Sequence, residues 1–352
     1  MAVSTTGEQV LAVSARNLSK SYFVPVRKSG FLGGLRTLLS QEKRRVDAVR
    51  DVSFDIRPGE FVGYIGPNGA GKSTTVKMLT GILHPTSGEV LVDGLSPQTQ
   101  RKELARRVGV VFGQRTQLWW DLPTVDSFDI LAAMYDVSRS DYRSFLKEFD
   151  DLLGIGEFLD TPVRRLSLGQ RMRAELAAAL IHRPKILFLD EPTIGLDVVA
   201  KRTMREFLAE INARRDVTVL LTTHDLKDIE ELCHRVIIIN HGSLIYDGTL
   251  EDLRRHADLP TVLEVQYYGL PEGLTAGAYV GLGGEVSLTP ADGAWQVASI
   301  DPGSRSVKVL FDRSRWPAPA VIAAMQALGE IRDVSLEEPA IEDIIRRILE
   351  TR

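Results

Sequence analysis

A glycine-rich segment between an apolar run and a helical pattern constrains this chain more than any other feature. The apolar run is Phe61–Ile65, and the helical pattern begins near Lys72. The segment fits G-x-x-x-x-G-K-[ST] and reads Gly66-Pro67-Asn68-Gly69-Ala70-Gly71-Lys72-Ser73. Glycines let backbone N–H groups surround a phosphate without Cβ clashes, and the helix N-terminus adds partial positive charge. The arrangement predicts a nucleoside triphosphate site, and residues 66–73 are called the phosphate-binding loop below.

The side chains that close this loop predict how the phosphates are held. Lys72 is expected to reach the β- and γ-phosphates, and the Ser73 hydroxyl is expected to ligate Mg²⁺. Thr74, which follows directly, is assigned to the same nucleotide-binding group.

An acidic pair at the end of a second apolar run complements the loop. The run Ile186–Leu189 is followed by Asp190 and Glu191. Asp190, at the end of a central strand, is expected to anchor Mg²⁺ through its water shell. Glu191 is placed to orient or deprotonate an attacking water.

Short apolar runs alternate with helical patterns over much of the chain, which is typical of a mainly parallel sheet covered by helices. The runs lack period-2 alternation, as expected for strands buried on both faces. The expected strands include Val108–Phe112, Val217–Leu221 and Val236–Ile239, with a hairpin over Ile237–Tyr246. Helical spacing over Val125–Tyr135 and Tyr142–Leu153 predicts a helical subdomain at about 115–165. These elements place an ATP-binding domain at 1–258.

The composition shifts after Leu259-Pro260, which predicts an accessory α+β domain over 259–352. The last helix expected there carries one apolar stripe. That stripe is Ile341, Ile344, Ile345 and Ile348. The expected strands are Leu263–Tyr268, Val307–Phe311 and Ile331–Val334, and the expected helices are Pro319–Leu328 and Pro339–Leu349.

Composition excludes several classes of protein. Lys and Arg total 43 against 47 Asp and Glu, and this net charge of −4 argues against a basic surface that grips nucleic acid. The single cysteine, Cys233, excludes an intrachain disulfide framework. The apolar runs fall short of the roughly 20 residues of a membrane-spanning helix, and Met1–Val10 lacks the apolar stretch of a signal peptide. We therefore expect a cytoplasmic chain without a membrane span.

The segment that separates this chain from other phosphate-binding-loop proteins is Leu166-Ser167-Leu168-Gly169-Gln170. It resembles the LSGGQ signature of the ATP-binding subunits of ABC transporters. Leu168 departs from the consensus glycine, whereas Ser167 and Gly169, which the family uses on the γ-phosphate, are kept. Ser167 is also a suitable N-cap for a helix from Gln170, which presents a second helix N-terminus to a phosphate.

Four further segments occur in the order that the family resemblance implies. The resemblance covers about residues 11–255. Gln114 matches the glutamine that senses Mg²⁺ and the attacking water, with Gln117 as a weaker alternative. His224 matches the switch histidine that contacts the γ-phosphate. Asp197, in Gly195-Leu196-Asp197, matches the loop that crosses to the partner subunit. Tyr22 resembles the aromatic residue that stacks on adenine, although Phe23 is adjacent.

Two segments resemble the viologen-exporter-like branch of the ABC-2-type exporters. They are Gly113–Pro123, which contains Trp119 and Trp120, and the stretch Val24–Arg45. The two tryptophans are expected beside the glutamine loop, as docking residues for a membrane subunit or as packing within the helical subdomain. The mixed apolar and basic stretch permits contact with a membrane surface or partner, or forms a solvated extension.

The resemblance implies an α/β P-loop ABC ATPase core with a mainly parallel sheet and with antiparallel β and helical subdomains. It further implies a motor with ATP and Mg²⁺ as cofactors, peripheral on the cytoplasmic face of the membrane. Two ATP-binding subunits, identical or different, would sandwich ATP head to tail and drive ABC-2-type membrane permease subunits that export a substrate. A soluble ABC-type ATPase acting on ribosomes or DNA is the alternative, and a P-loop kinase or GTPase is a third. The single cassette, the lack of a long coiled coil and the acidic charge count against the alternative.

Overall fold

The computed structural model describes residues 11–25, 43–113, 115–256, 259–289, 295–313 and 315–350. The chain forms two compact units, Met1–Leu250 and Glu251–Arg352. This boundary lies a few residues before position 258, which is the boundary that the change in composition predicts. Within the described ranges, no helix has the length and apolar character needed to cross a membrane.

The first unit is built from two sheets and the helices that connect their strands. Its strands are β1 (Val13–Pro25), β2 (Lys43–Ile56), β3 (Phe61–Ile65), β4 (Ser87–Val92), β5 (Val108–Phe112), β6 (Ile186–Asp190), β7 (Thr218–Thr222), β8 (Arg235–Asn240) and β9 (Ser243–Thr249). Its helices are α1 (Lys72–Leu79), α2 (Arg101–Ala105), α3 (Thr124–Met134), α4 (Arg139–Leu153), α5 (Leu168–Leu180), α6 (Val198–Arg215) and α7 (Leu226–Leu232).

The central sheet has the strand order β5-β6-β7-β3-β8-β9. All neighbours are parallel except the β8–β9 hairpin. Every residue of β3, β6 and β7 is buried, which explains why the sequence of these strands shows continuous apolar runs rather than alternation. The carboxyl ends of β3, β6 and β7 lie at one edge of the sheet, so the residues that follow them can meet there.

A second, antiparallel sheet of order β2-β1-β4 completes the β structure of this unit. Strands β1 and β2 pair from Val13 with Ile56 to Pro25 with Lys43. At the ends of the stretch Val24–Arg45, Val24 pairs with Arg44 and Pro25 pairs with Lys43, whereas residues 26–42 lie outside the described part of the chain.

The helical subdomain comes between β5 and β6 in the chain, as the helical spacing predicts. Helix α4 begins after Ser138, whose side chain accepts a hydrogen bond from the Asp141 N–H. The rings of Phe145 and Phe149 make a tilted contact at 4.2 Å between centroids, and Phe149 contacts Phe207 of α6 edge-on at 5.7 Å. These aromatic contacts pack the subdomain against a helix of the central sheet.

The second unit is an antiparallel sheet with helices, as the sequence predicts. Its strands are β10 (Thr261–Tyr267), β11 (Tyr279–Val280), β12 (Val286–Ser287), β13 (Trp295–Asp301), β14 (Ser306–Phe311) and β15 (Ile331–Glu337), and its helices are α8 (Leu250–His256), α9 (Ala318–Gln326) and α10 (Ile341–Glu350). The strand order is β12-β11-β13-β14-β10-β15. In α10, Ile341, Ile344 and Ile345 are buried and Ile348 is half-buried, so the predicted apolar stripe faces inward.

Candidate active site

The phosphate-binding loop joins β3 to α1 and is closely surrounded by backbone. A Cβ on Gly66 would lie 2.2 Å from the Ile239 carbonyl oxygen, and a Cβ on Gly71 would lie 2.4 Å from that of Ala48. Gly71 also has φ +109°, a conformation that L side chains rarely adopt. The glycines are therefore required by space and backbone geometry, which leaves the N–H groups of the loop uncovered by side chains.

Lys72, the first residue of α1, turns back over this loop. Its Nζ donates to the carbonyl oxygens of Gly66 at 2.7 Å and Pro67 at 3.2 Å. Burial lowers the pKa of Lys72, while the nearby carboxylates of Glu191 and Asp190 act in the opposite direction. The ammonium group is thus held at the mouth of the loop, beside two carboxylates.

Asp190 and Ser73 meet at the end of β6. The Ser73 hydroxyl donates to Asp190 Oδ1 at 3.1 Å, and the Thr222 hydroxyl donates to the same oxygen at 2.6 Å. These groups present hard oxygen ligands of the kind that Mg²⁺ prefers. Mg²⁺ keeps several waters and phosphate oxygens when it binds beside a nucleotide, so one hydroxyl and one carboxylate fit such an ion.

Glu191 follows Asp190 in a strained backbone conformation and points its carboxylate at His224. Its φ is +56°, and its N–H donates to the Thr222 carbonyl oxygen at 2.9 Å. His224 Nε2 lies 2.6 Å from Glu191 Oε1. A Cβ on Gly113 would lie 2.2 Å from the Glu191 carbonyl oxygen, so the end of β5 packs directly on this strained residue. Strain of this kind persists only where the surrounding structure imposes it.

An open cleft of about 340 Å³ lies beside these groups. It is lined by Asn68, Ser73, Lys77, Ile82, Phe112, Gly113, Arg115, Asp190 and Glu191. The cleft joins the phosphate-binding loop to the residues after β5 and to the acidic pair.

Ser167 forms a reciprocal cap at the start of α5. Its hydroxyl accepts from the Gln170 N–H at 3.2 Å, and its own N–H donates to Gln170 Oε1 at 2.9 Å. Among the described residues, no hydrogen bond joins the segment from Ser167 to Gln170 to the phosphate-binding loop.

The signature segment instead packs against the loop that follows Glu191. A Cβ on Gly195 would lie 2.9 Å from Leu168 Cδ2, and a Cβ on Gly169 would lie 3.4 Å from Ala200 Cβ. The Asp197 carboxylate caps α6 by accepting from the Ala200 N–H at 2.8 Å. The leucine that departs from the LSGGQ consensus therefore fills the space beside Gly195.

The structure describes only one of the two candidate glutamines. Gln114 lies outside the described residues. The Gln117 side chain donates to the Glu175 carbonyl oxygen at 3.1 Å, and the Gln117 N–H donates to a carboxylate oxygen of Glu175. The Thr116 hydroxyl donates to the other oxygen. Gln117 is thus tied to α5, and burial raises the pKa of Glu175 against the opposing effect of these hydrogen bonds.

Sequence reasoning did not single out Thr222, Glu175 or Asp228. The sequence could have identified Glu175, because it is the only charged residue in the otherwise apolar run Ala174–Ile181. The contacts of Thr222 and Asp228 join segments that are separate in sequence, so no local pattern marks them.

The aromatic candidates lie on the surface of the first unit. Tyr22 of β1 is 39% exposed with Lys20 Nζ 5.5 Å from its ring centroid, and Phe23 is 65% exposed. Trp119 and Trp120 are 38% and 48% exposed, and the Arg171 guanidinium lies 5.8 Å from the centroid of Trp120. These side chains have much of their surface open to solvent and are available to a ligand or partner.

Known proteins resemble this chain in sequence and in fold. A family model described as ABC transporter matches residues 49–194. The chain is 36% identical over 212 residues to the ABC transporter ATP-binding protein NatA of Bacillus subtilis, covering 60% of this chain and 86% of that protein. It is 38% identical over 209 residues to a Nod factor export ATP-binding protein I of Burkholderia thailandensis, covering 59% of this chain and 68% of that one.

Solved structures give the same result for the fold. A dimeric ATP-binding cassette in a post-hydrolysis state with ADP and Pi matches with TM-score 0.57 and 26% identity, over 68% of this chain and 98% of that one. An ATP-binding subunit of an ABC transporter matches with TM-score 0.58 and 25% identity, over 70% and 92%. These matches confirm the predicted ABC ATPase fold. The chain belongs to the family of ABC transporter ATP-binding proteins.

Proposed function

We propose that this chain hydrolyses ATP and thereby drives export through separate membrane permease subunits, on whose cytoplasmic face it sits. The observation that carries the proposal is the meeting of Lys72, Glu191 and His224 at the carboxyl edge of one parallel sheet. Phosphoryl transfer to water is catalysed by groups that hold the phosphates and by a group that orients or deprotonates the attacking water, and Lys72 and Glu191 are of these two kinds.

In the proposed reaction, the backbone of Gly66, Pro67, Asn68, Gly69, Ala70 and Gly71 surrounds the phosphates of ATP, with Thr74 at the start of α1. Lys72 supports the negative charge on the γ-phosphate. Glu191 accepts a proton from water as the water oxygen bonds to the γ-phosphorus and the bond to the β–γ bridging oxygen breaks. His224, now against Glu191, is placed to contact the γ-phosphate. Preorganised charges of this kind supply most of the rate in phosphoryl transfer.

Magnesium fits the proposed site. Ser73, Asp190 and the glutamine Gln114 are the residues that would hold it, and the hydroxyl and carboxylate already lie together. When bound, Mg²⁺ neutralises charge that develops on the phosphate oxygens.

A second ATP-binding subunit is proposed to cover the opposite face of the bound nucleotide. Ser167, Gly169 and Gln170 form an exposed or half-exposed helix N-terminus that makes no hydrogen bond to the phosphate-binding loop within the described part of the chain. A partner subunit would present this terminus to the γ-phosphate in trans, with Asp197 beside it at the interface. Tyr22 is proposed to stack on the adenine ring.

Export rather than import rests on the resemblance to one subgroup, because the relatives include both export and import ATP-binding proteins. A Nod factor export protein is among the relatives, and the chain resembles the viologen-exporter-like branch of the ABC-2-type exporters. Trp119 and Trp120 lie close after Gln114 in the chain with half-exposed rings, and aromatic side chains of this kind anchor protein interfaces. We therefore assign them to the surface that an ABC-2-type permease contacts.

Glu191→Gln tests the proposed reaction. The amide keeps the shape of the side chain but cannot accept a proton, so ATP binding should persist while turnover falls by about 100-fold or more. The ATP-bound dimer should then accumulate, as measured by light scattering with and without ATP. ATP hydrolysis near the wild-type rate in this variant would falsify the role of Glu191.

A further inference from the structure

A single buried carboxylate contacts both loops that carry the proposed catalytic pair. Asp228, in the first turn of α7, is fully buried. Its Oδ2 accepts from the Thr193 hydroxyl at 2.7 Å and from the Thr223 hydroxyl at 3.1 Å. Thr193 is two residues after Glu191, and Thr223 immediately precedes His224.

The other oxygen of this carboxylate is held by a buried arginine. Arg205 of α6 donates from Nη1 to Asp228 Oδ1 at 3.0 Å. Its Nε lies 2.7 Å from a carboxylate oxygen of Glu231, which is half-exposed. Arg205 thus connects α6 to α7 and orients the carboxylate toward the two threonines.

The hydrogen bonds of Asp228 constrain Glu191 and His224 through short, stiff segments of the chain. Glu191 already has a strained backbone, and the Thr223 hydroxyl also accepts from the Asp225 N–H at 3.0 Å. Threonine is restricted at χ1, so a hydroxyl fixed by Asp228 fixes the backbone that carries it. The side chains of Asp228, its two threonine partners and Arg205 are all buried, where each hydrogen bond is costly to break.

We infer that Asp228 is a positioning residue that sets the register between Glu191 and His224 by holding Thr193 and Thr223 on one carboxylate. This inference rests on the proposed roles of Glu191 and His224. Asp228 does not touch the nucleotide, so its loss should lower the rate of the chemical step and leave ATP affinity nearly unchanged. A misplacement of about 1 Å in a catalytic group can cost on the order of 100-fold in rate.

The test compares Asp228→Asn with the matched control Glu231→Gln in the full chain. Both substitutions remove one carboxylate partner of Arg205, but only the first touches the threonines. For Asp228→Asn we expect kcat to fall by about tenfold to 100-fold with KM for ATP within about twofold. Glu231→Gln should keep both values within about twofold of the wild type.

A spectroscopic readout makes the test independent of turnover. The chain has six histidines, so the His224 ring resonance can be assigned in a histidine-labelled sample by its loss in His224→Gln. Asp228→Asn should shift this resonance, and Glu231→Gln should not. Thr193→Val and Thr223→Val each remove one hydroxyl and provide the same comparison if Asp228→Asn does not fold.

The outcomes separate this inference from the proposed function. Wild-type kcat and an unmoved His224 resonance in Asp228→Asn, or in both threonine variants, would overturn it. Glu191→Gln is measured in parallel, because normal turnover in that variant overturns the proposed function instead. An inactive Glu191→Gln beside a fully active Asp228→Asn rejects only the role of Asp228.

Discussion

His224 and Glu191 come from different loops of the central sheet, yet His224 Nε2 lies 2.6 Å from Glu191 Oε1. The loop of Glu191 follows β6, and that of His224 follows β7, the next strand in the sheet. Adjacent parallel strands end side by side, which brings the two side chains together. The contact places the histidine directly against the proposed catalytic carboxylate.

We predict that His224→Ala lowers ATP turnover by about 100-fold while ATP affinity changes little. The ring orients the carboxylate and contacts charge that grows during the reaction, whereas most ground-state binding comes from the phosphate-binding loop. Steady-state kinetics and ATP titration measure the two effects separately. His234→Ala is the control, since His234 is exposed and precedes β8, at the opposite end of the strands from the site. A loss confined to ATP affinity would contradict the assigned role.

Lys72→Ala should weaken ATP binding by about tenfold to 100-fold and also lower turnover, because a hydrogen bond to a charged phosphate contributes about 1.5–3 kcal/mol. Calorimetric titration with ATP measures the affinity. Lys185→Ala removes an exposed lysine of the same unit and should leave binding unchanged. Equal affinity of Lys72→Ala and the wild type would show that Lys72 does not hold the phosphates.

Gly113→Ala should lower both stability and turnover. The new methyl group would meet the Glu191 carbonyl oxygen, and backbone crowding of this kind costs about 1–3 kcal/mol of unfolding free energy. Gly269→Ala is the matched control, because a Cβ there has no atom within 4 Å. Urea unfolding and steady-state ATPase rates provide the comparison. Wild-type behaviour of Gly113→Ala would mean that the end of β5 does not constrain Glu191.

Glu175→Gln should change how stability depends on pH. Burial raises the pKa of Glu175 in the fold above its value of about 4.3 in the unfolded chain. Ionisation of Glu175 therefore costs more free energy in the folded state than in the unfolded state. This cost is absent at pH values below the unfolded pKa. As pH rises from about 4 through the folded pKa, the wild type should lose stability relative to Glu175→Gln, after which the difference should be constant.

Urea unfolding at a series of pH values measures this effect, with Glu89→Gln as an exposed control. The control and the wild type should show parallel profiles. If the difference between the wild type and Glu175→Gln does not vary with pH, Glu175 does not titrate as its burial implies.

Much of the core was accessible from the sequence. The strands Phe61–Ile65 and Val108–Phe112 have the predicted bounds, because each is delimited by glycine or by a change in apolar periodicity. The helix that follows the phosphate-binding loop begins at Lys72, as predicted. The predicted strand Val217–Leu221 is shifted by one residue and ends at Thr222. Thr222 is polar and therefore falls outside the apolar pattern, yet its hydroxyl donates a hydrogen bond to Asp190.

Neighbours along the chain suffice to predict the phosphate-binding loop, the strand that precedes it and the acidic pair. Which side chains meet depends on how distant segments fold together. Asp228 contacts Thr193 and Thr223, and Leu168 packs beside Gly195, only because strands and helices from separate segments come together. Local preferences act over a few residues, whereas these contacts depend on the order of strands in the sheet.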